Sequence, residues 1–172
     1  MQRITHRRVG NATLEFTLVG IPLIFTLISI VEMARGMWIY HTLAYSIKEG
    51  TRFAIVHGAN CDPKINISNK CQVTVGQIAQ VIQYAGVGLD PGALQVEMKS
   101  NSDDTGLATL KSLLTSTAIF PSSPGNLQTE PITFTAQYPF QSAIAMFWPG
   151  VGKGMTFPTF VLPPSSQEQI QF

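Results

Sequence analysis

The sequence predicts an α+β protein: a long N-terminal helix, transmembrane in character at its start and amphipathic beyond, carrying a small antiparallel-sheet globular domain. Three observations predict it. Residues 16–31 hold no charge and are dominated by Ile, Leu, Phe and Val. Apolar residues at three- and four-residue steps then carry a helical pattern on to His57. After Gly58 the pattern gives way to short alternating segments separated by Pro, Gly, Asn and Asp, which read as strands and turns.

Composition narrows the class. The 172 residues suit one domain plus an appendage and are too few for a multidomain enzyme. Charged residues make up only 12 % and hydrophobic ones 45 %. Ten Phe, six Met and eleven Pro argue against a disordered chain, which would be short of aromatics and rich in charge. A net charge of +1 offers no global basic field for nucleic acid. The charge is uneven, however. Every Arg lies at or before Arg52, and from Gly58 onward five Lys face seven Asp and Glu.

The apolar start reads as a membrane span. Sixteen uncharged residues fall short of the about 20 that cross a bilayer core. Leu14 at one end and the Met33–Trp38 region at the other extend the span to about residues 14–37. Arg3, Arg7 and Arg8 precede it, so the positive-inside rule puts the N-terminus in the cytoplasm and residues 58–172 outside. A cleaved secretory signal needs a small-x-small site after its apolar centre. Here the run continues into Glu32-Met-Ala-Arg-Gly-Met-Trp without one. A buried core helix would leave the basic flank and the length without a reason. Glu15 opens the apolar run and has two readings. It is an ionisable group at membrane depth with a specific partner, or a first-turn acid that faces headgroups and complements the helix dipole.

Beyond the span, Met33, Met37, Tyr40, Ala44, Ile47, Thr51 and Ala54 mark the expected buried stripe. Glu32 and Arg35 are spaced to pair, and Lys48, Glu49 and Arg52 face solvent. A helix over residues 11–57 is roughly 70 Å long, so about half projects past the bilayer. Pro22 is expected to bend it or loosen one turn. Gly58 reads as its cap, and Asn60, Asp62 and Pro63 as a loop.

Residues 73–85 fit a short amphipathic helix ended by Gly86 and Gly88. Residues 94–98 alternate as a strand, and residues 100–131 read as a long polar excursion with a helical turn near Leu107–Leu114. Residues 132–138 form the clearest strand, ended by Pro139. Residues 143–148 suggest a small apolar helix or turn. Residues 155–162 suggest a third strand, with Pro158 at an edge or bulge.

Cys61 and Cys71 bracket a turn-rich loop on the expected outer side, where a disulfide is the natural state. Closing such a loop stabilises by roughly 3 kcal/mol in the chain-entropy model. No metal site is expected: no His follows His57, and His41 lies about 24 Å from it along the helix. Gly150-Val-Gly-Lys153-Gly-Met-Thr156 lacks the Gly-Lys-Ser/Thr order of a phosphate loop. Asp103 and Asp104 form an acidic turn that invites a calcium reading, but an exposed turn suffices. No nucleophile, base and acid can be assembled beyond the span, so no enzyme and no cofactor is expected.

Gly10-Asn-Ala-Thr-Leu-Glu15-Phe16, preceded by Arg7-Arg8 and followed by the apolar run, has the form of a class III prepilin signal. Together with Glu32-x-x-Arg35, the segment Tyr45-Ser-Ile-Lys-Glu49-Gly50-Thr-Arg52-Phe-Ala54, and Gly88-Leu-Asp90-Pro91, it resembles the TadE-like minor pilins of the tight-adherence (Tad, type IVc) pilus. The resemblance is close over the first ~58 residues and loose in the strand pattern beyond. It implies a leader, residues 1–10, removed by an aspartic prepilin peptidase between Gly10 and Asn11. Glu15 then becomes the fifth mature residue, and its implied partner is the new α-amine of a neighbouring subunit, with Phe16 beside it in the assembly register. The implied partners are other minor and major pilins, the peptidase, the assembly platform and the inner (cytoplasmic) membrane. The domain is then periplasmic or extracellular. The implied role is structural, in starting, tipping or assembling an adhesive pilus. The rival expectation is an extracytoplasmic binding protein, adhesin or sensor-like, that stays anchored and enters no filament; processing at Gly10 separates the two.

Overall fold

The computed structural model describes residues 11–58, 72–142 and 160–171. Helix α1 (Asn11–Ile55) runs without interruption for 45 residues. Pro22 lies inside it and, having no N–H, leaves the Leu18 carbonyl without its helical donor, yet the helix continues through. Nearby hydroxyls fold back on the helix: Thr26 donates to the Pro22 carbonyl at 2.9 Å and Ser29 to that of Phe25 at 2.8 Å.

The halves of α1 have different surroundings. From Leu14 to Trp38 its large apolar side chains are exposed. From Ile39 onward one face is covered, with Leu43, Ile47 and Ala54 fully buried. The expected stripe is therefore corrected. Met33, Met37 and Tyr40 are exposed, whereas Ile47, Thr51 and Ala54 are buried at the expected spacing, joined by Leu43 and Gly50. Spacing alone extends the stripe too far back, because the described part of the domain covers α1 only from about Ile39 onward.

Helix α2 (Val75–Ala85) starts with a reciprocal cap. The Thr74 hydroxyl accepts from the Gln77 N–H at 3.3 Å, and the Gln77 side chain accepts from the Thr74 N–H at 3.0 Å. Val75, Ile78, Ala79 and Ile82 face the core. The helix packs on α1, where Gly50 lets the backbones approach.

Strand β1 (Gln95–Lys99) pairs antiparallel with the short β2 (Ala108–Thr109) on one side and β3 (Pro131–Phe140) on the other. Alternation sends Val96 and Met98, and Ile132, Phe134 and Ala136, into the core. Pro139 does not end β3: it lies within the strand opposite Val161, at a position where the ladder tolerates its missing donor. β4 (Phe160–Leu162) and β5 (Ser165–Gln169) run along the same edge of β3 in one register. Tyr138 stands opposite Leu162, and three residues back Thr135 stands opposite Ser165. Pro163 and Pro164 interrupt the ladder without shifting it, and the Pro164 carbonyl still accepts from the Ala136 N–H at 3.0 Å. The order is β2-β1-β3, then β4 and β5 in line.

The excursion at 100–131 sends a few apolar side chains into the core. The single-turn α3 (Leu110–Leu113) buries Leu110 and Leu113, and Phe120 is buried against Phe134 with ring centroids 5.6 Å apart. α1 lies across β3 and β5, and the Gln171 N–H donates to the Ile55 carbonyl, tying the last strand to the helix end. The helix or turn expected at 143–148, the start of the strand expected from 155, and Pro158 lie outside the described residues.

Candidate functional site

The residues singled out by sequence fall into two places. Arg3, Arg7, Arg8 and Gly10 lie outside the described residues, as do Cys61, Cys71 and the Gly150–Thr156 segment. Asn11 opens α1. Glu15 and Phe16 follow within the next turn on its exposed surface. Thr17, beside them, donates to the carbonyls of Thr13 and Leu14 at 3.1 and 3.0 Å, removing a polar group from the apolar surface.

This first half of α1 is long and apolar enough to cross a membrane, and the other described residues cover none of its most apolar stretch. A core helix of a soluble protein would be covered. Apolar surface on this scale and on all sides marks contact with lipid or with other apolar helices.

The second element of the site is the junction where α1 enters the domain. Arg35 pairs with Glu32 at 3.6 Å, as their spacing predicts. Arg35 also lies 5.0 Å over the centroid of the Phe140 ring, and its guanidinium donates to the Gln141 carbonyl. The end of β3 is thereby held at the helix surface, where the Phe140 ring also reaches Gly36. Higher up, the Tyr45–Ala54 segment divides by face. Glu49 and Arg52 pair at 3.3 Å towards solvent. Ile47, Gly50, Thr51 and Ala54 are buried, and the hydroxyls of Ser46 and Thr51 donate to the carbonyls of Leu43 and Ile47. Phe53 stacks at 4.6 Å on His57, whose Nδ1 lies 2.6 Å from the Phe53 carbonyl. His57 is thus a packed residue of the helix end, and His41 sits on the exposed side against Tyr40.

The acidic turn is a structural clasp. Asp103 accepts from the N–H of Ser122 and from its hydroxyl at 2.8 Å, with the Ser102 and Ser100 hydroxyls at 3.1 and 3.4 Å. Burial alone would raise its pKa; the hydrogen bonds from Ser122, Ser102 and Ser100 outweigh that and lower it. Asp104 accepts from the Gly106 N–H and pairs with Lys99 at 3.1 Å, which lowers its pKa and raises that of Lys99. Among the described residues, no three of His, Cys, Asp and Glu group as a metal site.

Sequence reading missed the Arg35–Phe140 contact and the Trp38–Gly88 contact, which join residues about 100 and 50 apart in a chain of 172. The signal available for the helix–helix crossing was Gly50, a helix-weakening residue inside a strongly helical segment.

The family model described as TadE-like protein matches residues 10–52. The match begins at the glycine before α1 and ends at Arg52, so it takes in the whole apolar half and most of the junction. No curated protein and no solved structure matches the chain.

Proposed function

We propose that this chain is a membrane-anchored structural subunit of a Tad-type pilus, a minor pilin or pseudopilin that helps to start, tip or assemble the filament. The observation that supports the reading is α1 itself. A single helix serves as an apolar rod that the other described residues leave uncovered over its first half and as the spine of an α+β domain over its second, and residues 10–52 of the chain match the TadE-like model. A subunit that must pass between bilayer and helical bundle needs such a rod. Its role is architectural rather than catalytic.

On this reading the N-terminus faces the cytoplasm, α1 spans the inner membrane once, and the domain lies outside. Prepilin peptidase removes residues 1–10, and Arg3, Arg7 and Arg8 hold the leader at the anionic cytoplasmic surface until it does. Its partners are other pilins and the assembly platform. N-terminal sequencing of the protein extracted from membranes of cells with an active prepilin peptidase tests the reading: the chain should begin at Asn11. Intact Met1 or Gln2 would refute it in favour of a permanently anchored binding protein.

A further inference from the structure

Strand β3 runs counter to α1 and along it. Beside its start, the Ile170 N–H donates to the Glu130 carbonyl and the Gln171 N–H to the carbonyl of Ile55. At its other end Phe140 lies against Arg35 and reaches Gly36. From Pro131 to Phe140 is about 30 Å at strand rise, and from Arg35 to Ile55 is about 30 Å at helix rise. The two lengths agree, so a position along β3 is also a height along α1.

Height converts into depth. Twenty residues counted from Phe16 end at Arg35 and span about 30 Å, the thickness of a hydrocarbon core, with headgroup layers of roughly 5–7 Å on either side. Phe140 therefore stands at the boundary between core and headgroups. Pro139 lies about 3 Å further out, inside the layer, and Gln137 about 10 Å out, beyond it.

The sheet changes character at that height. Ile132, Phe134 and Ala136 fill its core face, so the alternate residues lie on the face turned away from α1. Thr133, Thr135 and Gln137 stand there beside Gln167, Glu97 and Gln95, a polar surface. At the end of β3 the same face turns apolar. Pro139 is exposed and stands opposite Val161, itself 53 % exposed. Arg35, at this height, keeps 40 % of its side chain exposed beside its pairing with Glu32, a cation where lipid phosphates lie. Residues 143–159, between β3 and β4, contain one charged residue, Lys153, and no acid.

We infer that Pro139 and Val161 form a second membrane contact, by which the β3–β4 end of the domain rests in the headgroup layer of the bilayer that α1 crosses. Lipid is the occupant because the polar face becomes apolar at headgroup depth, next to an exposed cation and level with the end of the span. The inference depends on α1 being a membrane span, as proposed above. A contact at the sheet edge, set to one side of the helix, restricts the tilt of the domain over the membrane.

Depth-resolved quenching by brominated phospholipids tests it on the full chain in vesicles of phosphatidylethanolamine and phosphatidylglycerol. Each variant carries one Trp in a Trp38→Phe, Trp148→Phe background. Phe25→Trp reports the span and Val161→Trp the proposed contact. Gln167→Trp, exposed on the same face but opposite Thr133 near the far end of β3, controls for the attraction of Trp itself to an interface. The expected result is loss of emission at position 25 with bromines deep in the acyl chains. At position 161 the loss comes with bromines near the headgroups, and at position 167 there is none. Equal emission at 161 and 167 with quenching at 25 overturns the contact while leaving the anchor standing. An unquenched position 25 overturns the anchor, and the contact with it. Emission at 161 that answers to protein-to-lipid ratio and not to bromine depth assigns the patch to a second copy and also overturns the proposal.

Discussion

Gly50 of α1 and Ile82 of α2 approach so closely that a β-carbon on residue 50 would stand 2.5 Å from Ile82 Cγ1 and 2.9 Å from its Cδ1. Ile82 is fully buried, so its side chain has little room to turn away. Gly50→Ala gains about 1 kcal/mol of helix propensity but loses about 1–3 kcal/mol to overpacking. Net destabilisation is expected, read as a lower urea midpoint for the domain of the detergent-solubilised chain. Adding Ile82→Val removes a terminal methyl from the crossing, so the double variant should be more stable than the sum of the singles. Strict additivity would mean that the two residues do not meet.

The Asp103 clasp carries a pH prediction. Its folded pKa is lowered, with burial opposed and exceeded by hydrogen bonds from Ser122, Ser102 and Ser100. A carboxylate of this kind stabilises the fold above its unfolded pKa of about 3.9. That contribution is lost as pH falls below this value and through the lowered folded one. Asp103→Asn should cost about 1–2 kcal/mol at neutral pH and flatten the acid side of the stability curve. Thermal melts from pH 7 down to pH 3 check both; an unchanged acid limb would show that the clasp does not couple protonation to folding.

Legibility varied with the kind of information each element needs. α1, α2 and β3 carry strong local periodicity and were readable, as was the Glu32–Arg35 pair. β5 was not: Ser165-Ser-Gln-Glu-Gln169 has no apolar alternation, and it is a strand because β4 delivers it, in register, to the edge of β3. Phe120 likewise hides in a run of Ser, Thr and Pro, and its burial depends on Phe134 in a distant strand. Of the candidate site, the apolar rod was legible from composition. The junction was not, because Arg35 with Phe140 and Trp38 with Gly88 exist only once the sheet and α2 have folded back on α1.

Glu15 separates two physical roles. An acid that only complements the helix dipole contributes a few tenths of a kcal/mol, roughly. One that neutralises a neighbour's α-amine in a helix bundle leaves that amine unpaired when replaced, costing several kcal/mol, by order of magnitude, on assembly alone. Glu15→Gln is expected to insert and be cleaved normally, yet to be missing from crosslinked complexes with other pilins. Cleavage and crosslinks scored on one gel decide it. Normal complexes would assign the residue to the dipole, and blocked cleavage would assign it to peptidase recognition.

Cys61 and Cys71 are expected to be joined in protein from outside the cytoplasm. Unreduced peptide mapping should recover their two peptides linked. Reduction should lower domain stability by roughly 3 kcal/mol. Two free thiols would contradict both the bridge and the outward placement of the domain.

From Pro22 to Ile55, α1 offers no loop, and Arg35 and Trp38 clamp it to the domain at the point where it leaves the apolar half. The molecule therefore has no swivel. Each residue added or removed between the span and the clamp turns the sheet by about 100° and shifts it by about 1.5 Å. The compass bearing of every surface on the domain is written in the azimuth of the apolar half of α1. On the proposed reading, a neighbour that grips the rod thereby chooses which side of the domain it will meet.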